Sequence, residues 1–390
     1  MRERGISSHL SAFLKELEGK RCFGDRWLSE AVLAVPRHLF IDQYYDPPGA
    51  ERPVKVDRHS PTEAQLRVIY SDRGLMMRPP PNHSAASQPS LVLGMLDDLK
   101  VERGKKVLEI GTGSGWNAAL LAFGTGENRL VYSIDIQPDL IEAGRAKLSE
   151  AGFPSVNLMA GDGGHGWPDR APFDRIVVTV GSPDIPPAWR EQLAEDGTLL
   201  VPLKTRGLGD PLLRLSKREG QLTGGFTRWS GFLTLQGAFW SGSEDQLQAA
   251  GHPALQELVS REAKKVAFPD RVDFDCAFFF HLKGRSIQGL LDCVDWNGRA
   301  LALFDRDSAM VCVASPEEPV VEVYGNVEAA ERLIRDQREW IGLGRPRITD
   351  YSVVLAEPGA LTEAGEGWID RRPHATLRFS LASGSSFRGM

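Results

Sequence analysis

The 390-residue chain lacks any run approaching the roughly 18 consecutive apolar residues that a membrane-spanning helix requires, so no membrane partner is expected. Its amino terminus, MRERGISSHLSAFLKELEGK, has early arginines but neither the apolar core nor the small-residue cleavage site of a secretory signal, and the chain reads as cytoplasmic. Cysteine is scarce: Cys22, Cys276, Cys293 and Cys312 are widely spaced, form no C-x-x-C pair and have no histidine placed as a metal partner. They read as reduced core thiols, and no metal is expected. Positive charge is in deficit, with 46 Lys and Arg against 52 Asp and Glu. The basic residues are dispersed, which excludes the clustered footprint of a nucleic-acid binder. The chain also lacks the G-x-x-x-x-G-K-[ST] loop of triphosphate sites, the G-x-S-x-G elbow of hydrolases, and any internal repeat.

What is present has the composition of a globular protein, 42% hydrophobic and 25% charged, in a chain too long for one ordinary core of about 250–300 residues. Apolar positions at helical spacing predict amphipathic helices over 6–19 and 27–40, and a third from Pro89 to Leu99. From Lys105 short apolar runs alternate with helical segments: VLEI, WNAALLA, LVYSIDI, PDLIEAGRAKLSEAG, VNLMA, DRIVVTV, PPAWREQLAEDG and TLLVPL. That alternation predicts an α/β, doubly wound, Rossmann-like parallel sheet. PLLRLSKR and GFLTLQGAF read as antiparallel strands, with Gly220 as a hairpin turn. Beyond about residue 245 a helix over 244–265, the apolar β runs DCAFFFHL, ALALF, AMVCVA and VVEVYG, a helix NVEAAERLIRDQREWIG, and the runs YSVVLAE and ATLRFSLA predict a separate α+β domain. The expected division is 1–245 and 246–390, with a loose tail at ASGSSFRGM.

The most informative stretch is Val107 to Asn117, VLEIGTGSGWN, where a strand runs through a glycine-rich turn into a helix and backbone can approach a ligand closely. The third glycine of a dinucleotide fingerprint is replaced by Trp116. Asp135 ends the second strand 24 residues after Gly111, where an acid binds ribose hydroxyls. Gly161, Asp162 and Gly163 follow the third strand and bring another acid to the same sheet edge, where Asp162 can meet an adenine amino group. Each element alone has a plainer reading, as a tight turn or a helix cap. In order on successive βα units they predict a site for S-adenosyl-L-methionine.

With these motifs on view, residues 25 to 240 resemble the protein-L-isoaspartate O-methyltransferases. VPRHLFI (35–41) is similar to the family's V-P-R-H-x-F, IYSDRGL (69–75) to its A-Y-x-D-x-x-L, and Ala85-Ala86-Ser87-Gln88-Pro89 to its T-I-S-Q-P. GDGGHGWPDRAPFDRIVVTVG and DGTLLVPL resemble two further segments. The resemblance implies cofactor contacts from Glu109, Gly111, Thr112, Gly113, Gly115, Asp135, Ile136, Gly161, Asp162 and Gly163. It implies Ser87 at the catalytic centre, and a substrate cleft lined by Ala85, Ala86, Gln88, Val180, Gly181 and Ser182. A substrate carboxylate is ionised at neutral pH and needs no general base, so positioning should dominate and Ser87 should orient it. The plainer role for Ser87 is to cap the helix that starts at Pro89. His83 and His165 lie near these motifs and are not assigned to catalysis.

Ala85 stands where the family has threonine, and Met76 to Ser84, MMRPPPNHS, replaces a glycine-bearing loop. With its extension, the chain resembles methyltransferases of ribosomally made modified peptides, including lanthipeptide and graspetide systems. That resemblance implies methylation of an aspartate in a precursor peptide, leading to aspartimide or isoaspartate. The competing expectations are repair of isoaspartyl protein, a small-molecule acceptor, and a non-catalytic S-adenosylmethionine-binding scaffold. The extension is expected to select the substrate.

Overall fold

The computed structural model describes all residues except 1, 48, 206–207, 240–252, 284–286, 290–300, 306–307, 316, 363–364 and 382–390. Helices α1 (Arg2–Gly19) and α2 (Arg26–Ala34) come first. α2 stops well short of the expected residue 40, because Pro36 cannot continue its hydrogen-bond ladder, and Arg37–Phe40 instead form a 3-10 turn. Two small antiparallel pairs follow, β1 (Gln43–Tyr44) with β2 (Val54–Lys55) and, after α3 (Glu63–Ile69), β3 (Leu75–Arg78) with β4 (Ser84–Ala86). α4 (Pro89–Leu99) starts on its proline as expected.

The predicted alternation is realised as β5 (Val107–Ile110), α5 (Trp116–Thr125), β6 (Val131–Asp135), α6 (Pro138–Glu150), β7 (Asn157–Ala160), β8 (Phe173–Val178), α7 (Pro187–Gln192) and β9 (Leu193–Pro202). These strands lie parallel in the order β7-β6-β5-β8-β9. The order reverses between β5 and β8, which makes the carboxyl ends of those strands the expected ligand crevice. β5 is buried along its whole length, which is why it reads as an apolar run broken only by Glu109. One face of the sheet is covered by α1, α2, α4, α5 and α6 around Phe13, Leu93, Leu120 and Leu121.

β10 (Leu212–Arg218) and β11 (Gln221–Phe226) continue the sheet as a hairpin. Its two-residue turn, Glu219-Gly220, has positive φ at both positions. The second strand of this hairpin is QLTGGF, not the expected GFLTLQGAF. Gly224 is packed so closely on β10 that a Cβ would lie 1.9 Å from the Arg214 carbonyl, and this requirement overrides the low strand preference of paired glycines.

Residues after 252 supply α8 (Pro253–Val259), β12 (Lys264–Ala267), α9 (Phe274–Leu282), β13 (Ile287–Gly289), β14 (Ala302–Asp305), β15 (Met310–Ala314), β16 (Val320–Gly325), α10 (Ala330–Gly342), β17 (Tyr351–Ala356), β18 (Trp368–Arg371) and β19 (Thr376–Leu381). Strands β12 to β16 form an antiparallel sheet of their own. The last three do not: β17 pairs with β11, and β19 and β18 follow, so one ten-stranded sheet runs across the expected 245/246 division. DCAFFFHL, expected as β, is helix α9. It is apolar on every side because Phe278 and Leu282 enter the core of the large sheet while Phe279 and Phe280 enter that of the small one. The expected helix over 244–265 is helical at 253–259 and gives way to β12; residues 244–252 and the tail 382–390 lie outside the described residues. Cys276 and Cys312 are buried, Cys22 is half-buried, and Cys293 lies outside the described residues. Among the described residues no helix is long and apolar enough to cross a membrane.

Candidate active site

At the β5/β8 crevice lies a cavity of about 780 Å³. The glycine loop forms one side. Gly111 has φ +104, and a Cβ there would sit 2.5 Å from Thr179 Oγ1, so the sharp turn off β5 depends on glycine. Thr179 Oγ1 donates to the Ile110 and Gly111 carbonyls and ties the loop to the end of β8. Trp116, in place of a third glycine, sends Nε1 to the Val35 carbonyl at 3.0 Å and lies under the Arg37 guanidinium. The VPRHLFI segment and the cofactor-type loop are therefore packed on each other.

Asp135 lines the cavity from the end of β6. Its Oδ2 accepts from the Gly113 amide at 2.9 Å and its Oδ1 from Gln137 at 3.0 Å, which fixes the carboxylate while leaving lone pairs for ligand hydroxyls. Burial pushes its carboxyl upward, against the pull of these two amides. Ile136 follows with an exposed side chain at the cavity edge. Thr112, Gly113 and Gly163 also line the space.

Other predicted cofactor residues stand behind this surface. Glu109 is fully buried, accepting from Asn117 Nδ2 at 2.7 Å and Ser133 Oγ at 2.5 Å. Burial pushes its carboxyl up to about 7 despite these bonds. Gly115 packs against Phe40, and Gly161 hydrogen-bonds to the Asp135 carbonyl. Asp162 does not line the cavity, because its two oxygens accept from the amides of Gly164 (2.8 Å) and Ala238 (2.7 Å). It caps the turn Gly163–His165 and braces the 236–239 segment.

Ala85, Ser87 and Gln88 also line the cavity, and the Ala85 carbonyl comes close to the glycine loop, 3.7 Å from where a Cβ on Gly113 would stand. Gln88, not Ser87, occupies the cap position of α4, and among the described residues the Ser87 hydroxyl has no hydrogen-bond partner. The first turn of α4 is served instead by Asp72, whose carboxylate accepts from Ser90 N at 2.8 Å and pairs with Lys20. Ala86, expected in the cleft lining, is buried with Leu75 and Met77 instead. Val180 lines it, whereas Gly181 and Ser182 sit behind, with Ser182 Oγ donating to the Asp184 carbonyl at 2.5 Å. A Cβ on Gly181 would meet Lys204 Cε at 2.6 Å.

The remaining wall went unassigned in the sequence. Arg228 to Gln236 line the cavity as an irregular strip and not as the expected strand. The strip is pinned by Arg228 to Asp98, by the Phe232 amide to Asp210 (2.7 Å), and by the buried Lys204–Asp210 pair (3.0 Å). His83 lines the rim, and its carbonyl accepts from Gln137. His165 is exposed beside Phe239. Among the described residues no group of three His, Cys, Asp or Glu is placed to hold a metal.

Residues 8–237 match the family model of protein-L-isoaspartate(D-aspartate) O-methyltransferase. A protein-L-isoaspartate O-methyltransferase of Geobacter metallireducens is 38% identical over 223 residues, 57% of this chain and 90% of that protein. One of Opitutus terrae is 41% identical over 219 residues, 56% of this chain and 83% of that protein. A solved protein-L-isoaspartate O-methyltransferase is similar in fold with a TM-score of 0.54 at 22% identity, covering 88% of this chain and 96% of that one. The fold is that of the S-adenosylmethionine-dependent methyltransferases. The glycine loop and the fixed Asp135 carboxylate fit S-adenosyl-L-methionine as the cofactor. Because the family model spans more than half of the residues and all those that line the cavity, the chain belongs to the protein-L-isoaspartate(D-aspartate) O-methyltransferase family.

Proposed function

We propose that the protein methylates the free α-carboxylate of an L-isoaspartyl residue in a peptide or protein. The observation that carries this reading is the opening of the glycine loop, Asp135 and Ser87 onto one cavity. S-adenosyl-L-methionine, when bound, supplies an electrophilic methyl carbon with a neutral thioether as leaving group. Asp135 would accept from its ribose hydroxyls, and Ile136 and the Gly163 backbone would hold its adenine. Thr112 and Gly113 would also meet the cofactor, with Glu109 tied to Thr112 through Ser133 and Gly161 tied to the backbone of Asp135. Ser87 donates its otherwise unpartnered hydroxyl to the acceptor carboxylate. No base is required, because the acceptor is ionised at neutral pH, and orientation within the cavity supplies the rate.

The experiment is transfer of labelled methyl from S-adenosyl-L-methionine to two peptides of one sequence, differing only in isoaspartate or aspartate. Preference for the isoaspartyl peptide is expected, and absence of transfer to either would leave a cofactor-binding scaffold. A second reading, methylation of a normal aspartate in a ribosomally made precursor with closure to aspartimide, is favoured by the tie between the extension and the cavity wall at Trp229. It takes second place because the relatives carry isoaspartate in their names. Preference for the aspartyl peptide would reverse that order.

A further inference from the structure

Trp229 is a cavity-lining residue whose side chain is bonded to the extension. Its indole lines the space and lies against Gly209, where a Cβ would come within 3.3 Å of the ring. Its Nε1 donates to Asp275 Oδ1 at 2.9 Å, and its ring contacts Phe274 at 5.5 Å and Phe278 at 6.2 Å between centroids. Asp275 lies in the first turn of α9, which Asp273 caps by accepting from Cys276 N at 2.9 Å. The same Asp275 Oδ1 accepts from the Ile348 amide at 2.9 Å, at the turn that leads into β17. One oxygen thus joins three parts of the molecule: the cavity wall, α9 and the entry to β17.

The neighbouring wall residues are held differently. Arg228 is tied to Asp98 on α4, and Phe232 to Asp210, all on the amino-terminal side of the expected 245/246 division. The Trp229 side chain is tied instead to residues beyond the expected 245/246 division. An indole fixed in this way keeps an apolar plane in the lining of the cavity that Ser87 also lines, where chain flanking an acceptor carboxylate can rest. An aromatic anchor with few rotatable bonds discriminates at low entropic cost, provided it is held in place.

We infer that Trp229 is a specificity-determining residue for the acceptor peptide, and that Asp275 is the positioning residue through which the extension sets it. The inference rests on the peptide-methyltransferase reading above. In the full chain, Asp275→Ala is expected to raise peptide KM by up to about 10-fold, because an indole released from its place has to be re-ordered when the peptide binds. It should leave kcat within about twofold and cofactor affinity unchanged, the pattern of uniform substrate binding removed. Asp275→Asn keeps an acceptor at Oδ1 and should restore most of the KM. Trp229→Phe keeps a ring but removes the donor; it should reproduce the Asp275→Ala effect, and the double variant should add little to either single one. Parent-like peptide KM in Asp275→Ala overturns the inference. So does a loss shared by cofactor affinity and melting temperature that Asp275→Asn fails to restore. Parent enzyme inactive on both isoaspartyl and aspartyl peptide overturns the functional reading and this inference with it, whereas an active parent with unaltered variants overturns only the inference.

Discussion

Arg37 Nη2 donates to the Ser87 carbonyl at 3.0 Å, bridging 50 residues of sequence. The same guanidinium, fully buried, reaches the carbonyls of Ile69 (2.8 Å), Ser71 (3.3 Å), Arg73 (3.2 Å) and Ala86 (3.3 Å). Burial pushes it down to about 9, which leaves it charged at neutral pH. Arg37 thereby fixes the backbone that carries the candidate catalytic hydroxyl. Arg37→Ala orphans buried carbonyls and should cost about 2–5 kcal/mol of unfolding free energy. Arg37→Lys should not rescue it, since one ammonium cannot span the fork. Urea unfolding measures this, and a loss under about 1 kcal/mol would contradict the anchoring role.

Ser87→Ala should lower kcat with cofactor affinity and melting temperature unchanged, because the Ser87 hydroxyl has no partner among the described residues and does not cap α4. Single-turnover methyl transfer against cofactor calorimetry separates the two quantities. Parent-like turnover would remove Ser87 from the chemistry.

Asp135→Ala should weaken S-adenosyl-L-methionine binding by about 10- to 150-fold, the worth of one hydrogen bond to a charged group. The Gly113 amide loses its partner at the same time, so the loss should lie toward the upper end. Calorimetry with S-adenosylhomocysteine reads it, and unchanged affinity would place the ribose elsewhere.

The glycine loop, Asp135 and the parallel half of the sheet were legible in the sequence because each is a local strand-turn-helix pattern whose side chains meet within one βα unit. Asp162 shows why such a motif is ambiguous from sequence: an acid after a strand serves a cap as readily as a ligand, and the Ala238 amide that engages one of its oxygens lies 76 residues away. Lys204, Asp210 and Trp229 carried no signal, since their meaning comes only from the wall they share. DCAFFFHL read as β because its Phe-rich run has no helical stripe. A helix wedged between two cores has no solvent face to supply one. The continuation of the sheet through β17 to β19 was hidden because antiparallel partners far apart in sequence carry no mutual pattern that one chain alone reveals.

Glu109 predicts a pH dependence. Its folded value is about 7 against an ordinary 4.5, raised first by burial and then by the charge of Asp135, while Ser133 and Asn117 oppose the shift. The folded state therefore holds this proton more tightly than the unfolded state. Its contribution to stability is present in acid and declines as pH rises from about 4.5 through about 7. The whole shift corresponds to about 3 kcal/mol. Glu109→Gln removes the titration, so urea unfolding at pH 5 and pH 8 should show a smaller loss with rising pH in the variant than in the parent. Equal losses would mean that Glu109 keeps an ordinary carboxylate in the fold.

Truncation after residue 245 should abolish the fold instead of releasing a catalytic fragment. β11 meets β17 through Leu222↔Leu355, Thr223↔Val354, Gly224↔Val353 and Gly225↔Ser352, and removal of β17 leaves that edge unpaired. The side chains lose as much as the backbone. Phe226 stacks on Phe379 at 5.8 Å and meets Phe278 edge-on at 5.6 Å, while Phe278 meets Tyr351 at 5.3 Å. Leu213, Leu215 and Leu222 share this core. Full burial of each large apolar side chain contributes about 1.5–3 kcal/mol, so losing several partners at once rivals the roughly 5–15 kcal/mol of a whole domain. Shorter relatives such as the Geobacter metallireducens protein align over 57% of this chain, which makes a self-sufficient fragment the natural expectation from sequence. The packing of β11 argues the other way: this edge is built to be covered. Circular dichroism, urea unfolding and cofactor calorimetry on residues 1–245 should give an aggregating species without a cooperative transition. A monomeric fragment that unfolds cooperatively and binds S-adenosylhomocysteine as the parent does would show that β17 to β19 are dispensable cover.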